Sequence, residues 1–388
     1  MEILFLETRE LSYFSSAVFM EELKRAFLNL GDNVQHFIVR DINESEEVLE
    51  NVLKISHKKH FDFIFDINSI LPLLYEDDKP YLDCFDVPFV DYIVDHPVHQ
   101  AHVLGERLEN FNVICLDKEH CDYIKKGYPY IKNTMAMPLA ATTFMEKENI
   151  FDNERKIDIL FPATYTPVSY FEDILKNKSR SYFDYAKECI ETIKDGGSFA
   201  VSDMQRQFYD VQDRNKNLLP DISRYIDKYI RESLRQMVVE AVLGSGFTLD
   251  VVGARWEMYE GRYRRRLNIH KQTTYSAIPE YMRLSKAVLN VQPLFKNAPH
   301  DRIYNAIANG AVAVTDRVSG LSPVYEAERD YLEYNFVELE EDFERIKNVI
   351  FDNNVIENIR YSAYQKAMQN DTWINRCEKI KKFVKNLH

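Results

Sequence analysis

Residues 299–316 read Pro299-His300-Asp301-Arg302-Ile303-Tyr304-Asn305-Ala306-Ile307-Ala308-Asn309-Gly310-Ala311-Val312-Ala313-Val314-Thr315-Asp316: a polar loop, a short helix, a glycine break and a buried strand. Arg302, Asn305 and Asn309 are spaced to lie near one another at the start and along one side of the helix, while Ile303 and Ile307 take the apolar side. Gly310 stops the helix, since only glycine accepts a left-handed backbone cheaply. Ala311 to Thr315 is small, apolar and β-leaning, as strands inside a parallel sheet are. In open α/β sheets ligands bind beyond the carboxyl ends of such strands and at helix N-termini, where free amides and the helix dipole favour a phosphate. The stretch therefore predicts a ligand-binding crevice.

Outward from it, strands and helices alternate, the signature of parallel sheets with helices on both faces. Strands are expected at Ile3–Glu7, Asn33–Val39, Phe61–Asp66, Phe89–Val94, Val113–Leu116 and Pro138–Thr142, with a first helix over Ser15–Leu30 ended by Gly31. The charged stretch Glu146–Lys156 reads as a linker. A second set follows at Ile157–Phe161, Thr248–Val252, Ala287–Asn290 and Val312–Thr315. The expectation is an α/β protein with a Rossmann-like domain over 1–150 and a second over 151–356, facing each other across a cleft. Between the first two strands of the second set, about 167–245 reads as a helical insertion. Residues 357–388 read as an amphipathic helix anchored by Trp373.

Composition sets limits. The 388 residues, 45% hydrophobic and 13% aromatic, suffice for two ordinary cores. A formal charge of −13 argues against nucleic-acid or anionic-membrane partners, both of which need basic surface. Cys84, Cys115, Cys121, Cys189 and Cys377 show neither a Cys-x-x-Cys pair nor zinc spacing, so they read as buried free thiols. The start, Glu2-Ile3-Leu4-Phe5-Leu6, is too short and acidic for a secretion signal, and no run approaches a membrane span. The expected setting is the cytoplasm, with no integral membrane segment. Thr8–Ser16 lacks Gly-x-Gly-x-x-Gly, which counts against an NAD or FAD enzyme.

Asp301-Arg302 through Gly310 and on to Thr315-Asp316 resembles the donor-binding helix of GT-B glycosyltransferases, in particular the bacterial spore-maturation-protein-like (CgeB-type) branch. Val90–Pro97, Asp158–Thr166 and Leu249–Trp256 match further stretches of that pattern in the right order. The resemblance implies the GT-B fold, with the final helix crossing back onto the first domain. It also implies transfer of a sugar from a nucleotide-sugar, UDP-sugar above all, to a hydroxyl of a protein, a cell-surface glycan precursor or a small molecule. Many retaining members place two glutamates eight positions apart, where this chain has Asn297 and Asn305.

Such chemistry must neutralise a leaving diphosphate, fix the ribose and orient an acceptor hydroxyl. No Asp-x-Asp of the metal-holding type is present, so the expectation is a metal-independent reaction with no cofactor beyond the nucleotide-sugar. Arg302 is the candidate for the diphosphate, its planar guanidinium gripping two oxygens at once; the alternative is a surface ion pair to Asp301 or Asp316. The donor set is completed by Gly253, Trp256, His300, Asp301, Asn305, Asn309 and Gly310. Asn305 is read as a ribose contact or a capping amide, and Trp256 as a base contact or core. The run Arg262–Arg266 is a phosphate candidate or a solvated face. Asp95 and His96, after the strand Val90–Val94, are the candidate general base, with Asp95 otherwise capping the turn at Pro97. Two classes stay open: a transferase, or a non-catalytic GT-B-like protein that binds a nucleotide or sugar.

Overall fold

The computed structural model describes residues 1–8, 11, 14–39, 46–76, 78–143, 150–151, 154–198, 219–292, 294–295, 297–321 and 324–387. The chain forms two compact units, Met1–Leu139 with Thr372–His388, and Ala140–Asp371. The sequence reading set divisions near 150 and 356, and most of its linker lies outside the described residues.

The first unit is built on β1 (Glu2–Glu7), α1 (Ser15–Asn29), β2 (Asn33–Ile38), α2 (Glu46–Ser56), β3 (Phe63–Ile67), β4 (Phe89–Ile93), β5 (Phe111–Cys115), α3 (Lys118–Gly127) and β6 (Asn133–Ala136). The strands form one parallel sheet in the order β2-β1-β3-β4-β5-β6. Strands covered on both faces need continuous apolar runs, and Ile3, Leu4, Phe5 and Leu6 are fully buried, as are Phe63, Ile64 and Phe65. Phe5 meets Phe27 edge-on at 6.0 Å and Phe65 at 5.2 Å, tying α1 to the sheet. The strand expected over Pro138–Thr142 does not form. Met137 still donates to the Cys115 carbonyl at 2.7 Å, but Pro138 has no N–H with which to continue the ladder.

The second unit contains β7 (Ile157–Pro162), α4 (Val168–Lys178), α5 (Arg180–Lys194), α6 (Leu219–Gly244), β8 (Leu249–Val252), β9 (Leu267–His270), α7 (Ile278–Arg283), β10 (Ser285–Leu289), α8 (Asp301–Ala308), β11 (Val312–Asp316), β12 (Leu332–Tyr334), α9 (Leu339–Phe351) and α10 (Asn353–Asn370). Its sheet is parallel in the order β9-β8-β7-β10-β11-β12. Strand order reverses between β7 and β10, and crevices open at such switch points. The edge strands β9 and β12 escaped the sequence reading because they are short and half polar.

The helix expected over residues 357–388 is two helices, α10 and α11 (Trp373–Lys385). A capping box divides them: Asn375 N–H donates to the Thr372 hydroxyl at 3.3 Å, and Thr372 N–H donates to Asn375 Oδ1 at 3.0 Å. The pattern Thr-x-x-Asn was visible in the sequence and passed over. Helix α11 belongs to the first unit. Trp373 packs on Phe19 at 5.7 Å, and Lys381 holds both Asp32 oxygens at 2.7 Å. Fully buried Arg376 donates to the carbonyls of Pro138 at 2.8 Å and Leu139 at 3.1 Å. Arg376→Ala strips two buried carbonyls of a charged donor and is expected to cost about 3 kcal/mol. Urea unfolding followed by tryptophan fluorescence measures this, and an unchanged midpoint would refute it.

Candidate functional site

Helix α8 begins beside the switch point of the second sheet, and Arg302 in its first turn spans that point. Its Nε donates to the carbonyl of Pro162, the last residue of β7, at 3.2 Å; its Nη1 donates to Oδ1 of Asn290, just past β10, at 2.7 Å. The guanidinium lies 5.6 Å from the Phe161 ring centroid. Burial pushes its pKa down to about 10, against the attraction of Asp301, so it stays cationic at neutral pH. The alternative of an ion pair to Asp301 or Asp316 is not realised among the described residues. Nη2 makes no hydrogen bond among the described residues.

A polar frame that the sequence reading missed positions this helix. Gln292 Oε1 accepts from His300 N–H at 2.7 Å, its Nε2 donates to the Ala298 carbonyl at 2.8 Å, and its backbone N–H donates to Asp316 Oδ1 at 2.9 Å. Asn290 Nδ2 donates to Thr315 Oγ1 at 3.0 Å, and Tyr334 O–H donates to the Asn290 carbonyl at 2.9 Å. The available signal was Asn290-Val291-Gln292-Pro293: two amides directly after an apolar strand that ends at a crevice.

His300 is the residue just before α8, and its Nδ1 lies 2.5 Å from Asp301 Oδ1 and 3.2 Å from Arg302 N. The shorter contact decides the tautomer, because a lone pair and a carboxylate oxygen would repel at that distance. Nδ1 therefore donates to Asp301, and Nε2 carries the lone pair. Burial, reinforced by nearby Arg302 and Arg235, lowers the imidazole pKa against the pull of Asp301, so the neutral form prevails at pH 7. For Asp301 burial alone would raise the carboxyl; His300, Tyr275 and Arg302 together hold it below the usual carboxylate range. Its other oxygen accepts from Tyr275 O–H at 2.5 Å and Asn305 Nδ2 at 3.2 Å. Asp301 therefore orients His300 instead of meeting a donor directly.

Four further expectations are corrected. Asn305 is buried with its amide turned inward: Oδ1 accepts from Thr142 N–H at 2.8 Å, and Nδ2 also donates to the Tyr275 hydroxyl at 2.7 Å. Neither end is left for a ribose. Asn309 donates to the carbonyls of Thr142 at 2.9 Å and Asn305 at 2.7 Å, and lies with Gly310 at the far end of α8, about 14 Å along the axis from His300. Gly310, at φ 72°, ends the helix where a Cβ would come within 2.5 Å of Ile150 Cγ2. Trp256 is fully buried, donates to the Ala163 carbonyl at 2.5 Å and packs against Phe161, Tyr165 and Tyr259, so it is core.

Gly253 keeps a role, but toward backbone. Its φ is 155°, and a Cβ would sit 2.1 Å from the Ala163 carbonyl oxygen, so the turn after β8 closes on the loop after β7 only with glycine. The run Arg262–Arg266 precedes β9, whose first residue Leu267 pairs with Leu249, the first of β8. In a parallel sheet that is the amino-terminal edge, opposite Arg302. Arg266 there donates to the Leu243 carbonyl at 2.6 Å.

On the first unit, Asp95 follows β4 and is exposed, held by Asn68 Nδ2 at 2.9 Å. His96 is only 2% exposed, so it meets no acceptor, which corrects its place beside Asp95. His96, Glu119 and His120 bring their ligand atoms within 4.8 Å of one another, as a metal site would. However, His96 Nδ1 accepts from Val98 N–H at 3.1 Å, so Nε2 carries the proton and faces Glu119 Oε2 at 3.6 Å. A metal on Nε2 would push that proton onto Nδ1, against another donor. At the neighbouring strand end, Asp66 accepts from the Thr8 hydroxyl at 2.5 Å and from Ile67 N–H at 2.7 Å.

Residues 231–382 match the model of a family described as glycosyl transferase-like, which is less than half of the chain. No curated protein matches. Among solved structures, an alpha-glucosyltransferase (AGT) in complex with UDP is similar at TM-score 0.59 and 14% identity, over 99% of this chain and 100% of that one. Anabaena Alr3699/HepE in complex with UDP-glucose is similar at 0.56 and 12% identity, covering 100% of both chains. Sucrose-phosphate synthase (tll1590) from Thermosynechococcus elongatus gives 0.55 and 12%, over 100% of this chain and 99% of that one. The fold is GT-B, with two Rossmann-like sheets.

Asp66 and Asp316 are both raised to about 7, by burial first of all, against hydrogen bonds that favour the charged form. Their folded pKa lies above the unfolded value of about 4, so this contribution to stability is complete below pH 4 and is lost as pH rises through 7. Each group contributes a slope of at most about 1.4 kcal/mol per pH unit in that window. Asp316→Asn should flatten the fall in unfolding free energy between pH 5 and 8. A pH profile parallel to the parent's would show that Asp316 is already ionised.

Proposed function

We propose that this protein is a nucleotide-sugar-dependent glycosyltransferase, moving a sugar from a UDP-sugar to an acceptor hydroxyl without a divalent metal. The observation that carries the reading is Arg302, fixed across the carboxyl-edge switch point at the start of α8 with Nη2 open. There a guanidinium and the positive end of the helix dipole meet the negative charge that builds on a leaving diphosphate. The family match over residues 231–382 and the likeness to structures holding UDP or UDP-glucose support it.

In this mechanism the acceptor oxygen bonds to the sugar carbon as the glycosyl C–O bond breaks with its electron pair on the diphosphate oxygen, which Arg302 and the dipole of α8 stabilise. The lone pair on His300 Nε2 suits it to accept from a sugar hydroxyl, while Asp301 and Asn305 hold the imidazole and helix start in place. Asp95, the exposed member of its pair, is the acceptor-side base. Gly253 fixes the loop after β7, whose Pro162 carbonyl anchors Arg302. The acceptor is a protein side chain, a glycan precursor or a small molecule, and the expected setting is cytoplasmic; no described helix is long and apolar enough to cross a membrane.

Arg302→Ala should lower turnover on the order of a hundredfold or more, since the lost contact strengthens as charge develops. It should also cost about 1–3 kcal/mol of stability, because the guanidinium carries two hydrogen bonds at the sheet edge. Arg302→Lys keeps the charge but loses the fork, so turnover should fall between parent and alanine variant. Release of UDP from a panel of UDP-sugars, with EDTA present, measures all three. A folded Arg302→Ala that turns over like the parent would sink the site assignment, and UDP binding without turnover of any donor would leave a binding protein.

A further inference from the structure

A groove of about 1260 Å³ runs along α6 and is walled by residues of α5 and α9; none of the donor-site residues lines it. Its floor is one stripe of α6, in which Tyr229, Ser233, Gln236, Glu240 and Gly244 follow one another at steps of three and four. That is the spacing with which one helix receives another. The stripe spans about 22 Å, the length of a four-turn helix. Ser233, Ala241 and Gly244 keep the floor low, so a second backbone can come close. The walls are apolar: Ile190 stands on α5, and Phe336, Val337 and Leu339 lie where the chain enters α9. Val337 is 58% exposed. A Cβ on Gly196, just past α5, would lie 3.2 Å from Val337 Cγ2, so the two walls meet there.

The border of the groove is acidic. Glu191, Glu240, Glu340, Glu341 and Glu344 line it against Lys187 and Arg262. Both cations already face rings: Lys187 Nζ lies 5.7 Å from the Phe183 centroid, and the Arg262 guanidinium 5.3 Å from that of Tyr263. Glu191 is paired with Lys194 at 2.8 Å, and Glu240 accepts from Tyr259 O–H at 2.5 Å. Glu340, Glu341 and Glu344 are exposed and form no ion pair among the described residues. The dipole of α9 favours the first two, in its first turn, but Glu344 lies beyond it. We propose that this groove docks a basic amphipathic helix of another protein, its apolar stripe on α6 and its lysines or arginines against Glu340, Glu341 and Glu344. A second copy of this chain is the poorer occupant, because it carries the same net charge of −13. The proposal is independent of the nucleotide-sugar reading.

The test is fluorescence anisotropy of the full chain with two labelled helical peptides of about 18 residues, at about 0.15 M salt. Both carry the same leucine stripe; one has lysine at its flanking positions and the other glutamate. The lysine peptide should bind at about 10 μM or tighter, and about tenfold or more tighter than the glutamate peptide. The triple variant Glu340→Lys/Glu341→Lys/Glu344→Lys should weaken it about tenfold, and so should Gly244→Leu, which raises the floor. A Cβ at Gly244 meets the Tyr263 ring at 3.5 Å, an ordinary contact, so that variant should melt like the parent. Glu47→Lys/Glu50→Lys, on α2 of the first unit, should leave binding within about twofold. Equal affinity for the two peptides, or no binding of the lysine peptide at about 100 μM, would overturn the proposal. So would an equal loss in the α2 variant, which marks general attraction to an acidic protein. A dimer in sedimentation velocity that Gly244→Leu dissolves would give the groove to a second copy and overturn it too. The charge variant and Gly244→Leu act independently, so either decides the matter should the other fail to fold.

Discussion

The hydrogen bonds from Arg302 to the Pro162 carbonyl and Asn290 Oδ1 are the constraint around which the second unit's site is arranged. They bind one side chain to two strand ends on either side of the topological switch, the place where a parallel sheet cannot supply its own partners. A strand end leaves carbonyls without ladder partners, and a buried carbonyl left unmade is costly. Arg302 satisfies one of them and in doing so loses the freedom of a surface arginine. A ligand oxygen arriving there meets a donor already oriented, so little entropy remains to be lost on binding.

The same economy explains why polar residues near α8 serve the protein before any ligand. Asn305 and Asn309 clamp the segment around Thr142 to the helix flank, and Gln292 ties the loop before the helix to Ala298, His300 and Asp316. Each buried amide has its partners inside the fold. Among the described residues, the rigid frame leaves His300 Nε2 and Arg302 Nη2 without a hydrogen-bond partner.

The first unit repeats the principle with carboxylates. Asp66 accepts from Thr8 and Ile67 at the ends of adjacent strands, and burial raises its pKa to about 7. Helix α11 returns to this unit through Arg376, again a charged donor satisfying carbonyls just past a strand end. In both units polar side chains close the strand ends, and there the buried carboxyls Asp66 and Asp316, both raised to about 7, make stability depend on pH.

The two parallel sheets, the helix and strand over 299–316 and the stop at Gly310 were legible in the residues alone, because apolar periodicity and glycine signals are local. The edge strands β9 and β12 were too short and polar to show, and the break before α11 needed its Thr372-x-x-Asn375 box to be read. Only tertiary structure decided which polar residues face outward. Asn305 and Asn309 look like ligand contacts on a helical wheel, but the chain near Thr142, more than 160 positions earlier, covers them. Arg262–Arg266 reads as a phosphate candidate or a solvated face, and strand register puts it at the opposite edge from Arg302. The groove along α6 was invisible because α5 and α9 are brought to it from before and after α6 in the chain, and the side of a residue that stays open is fixed by such distant partners.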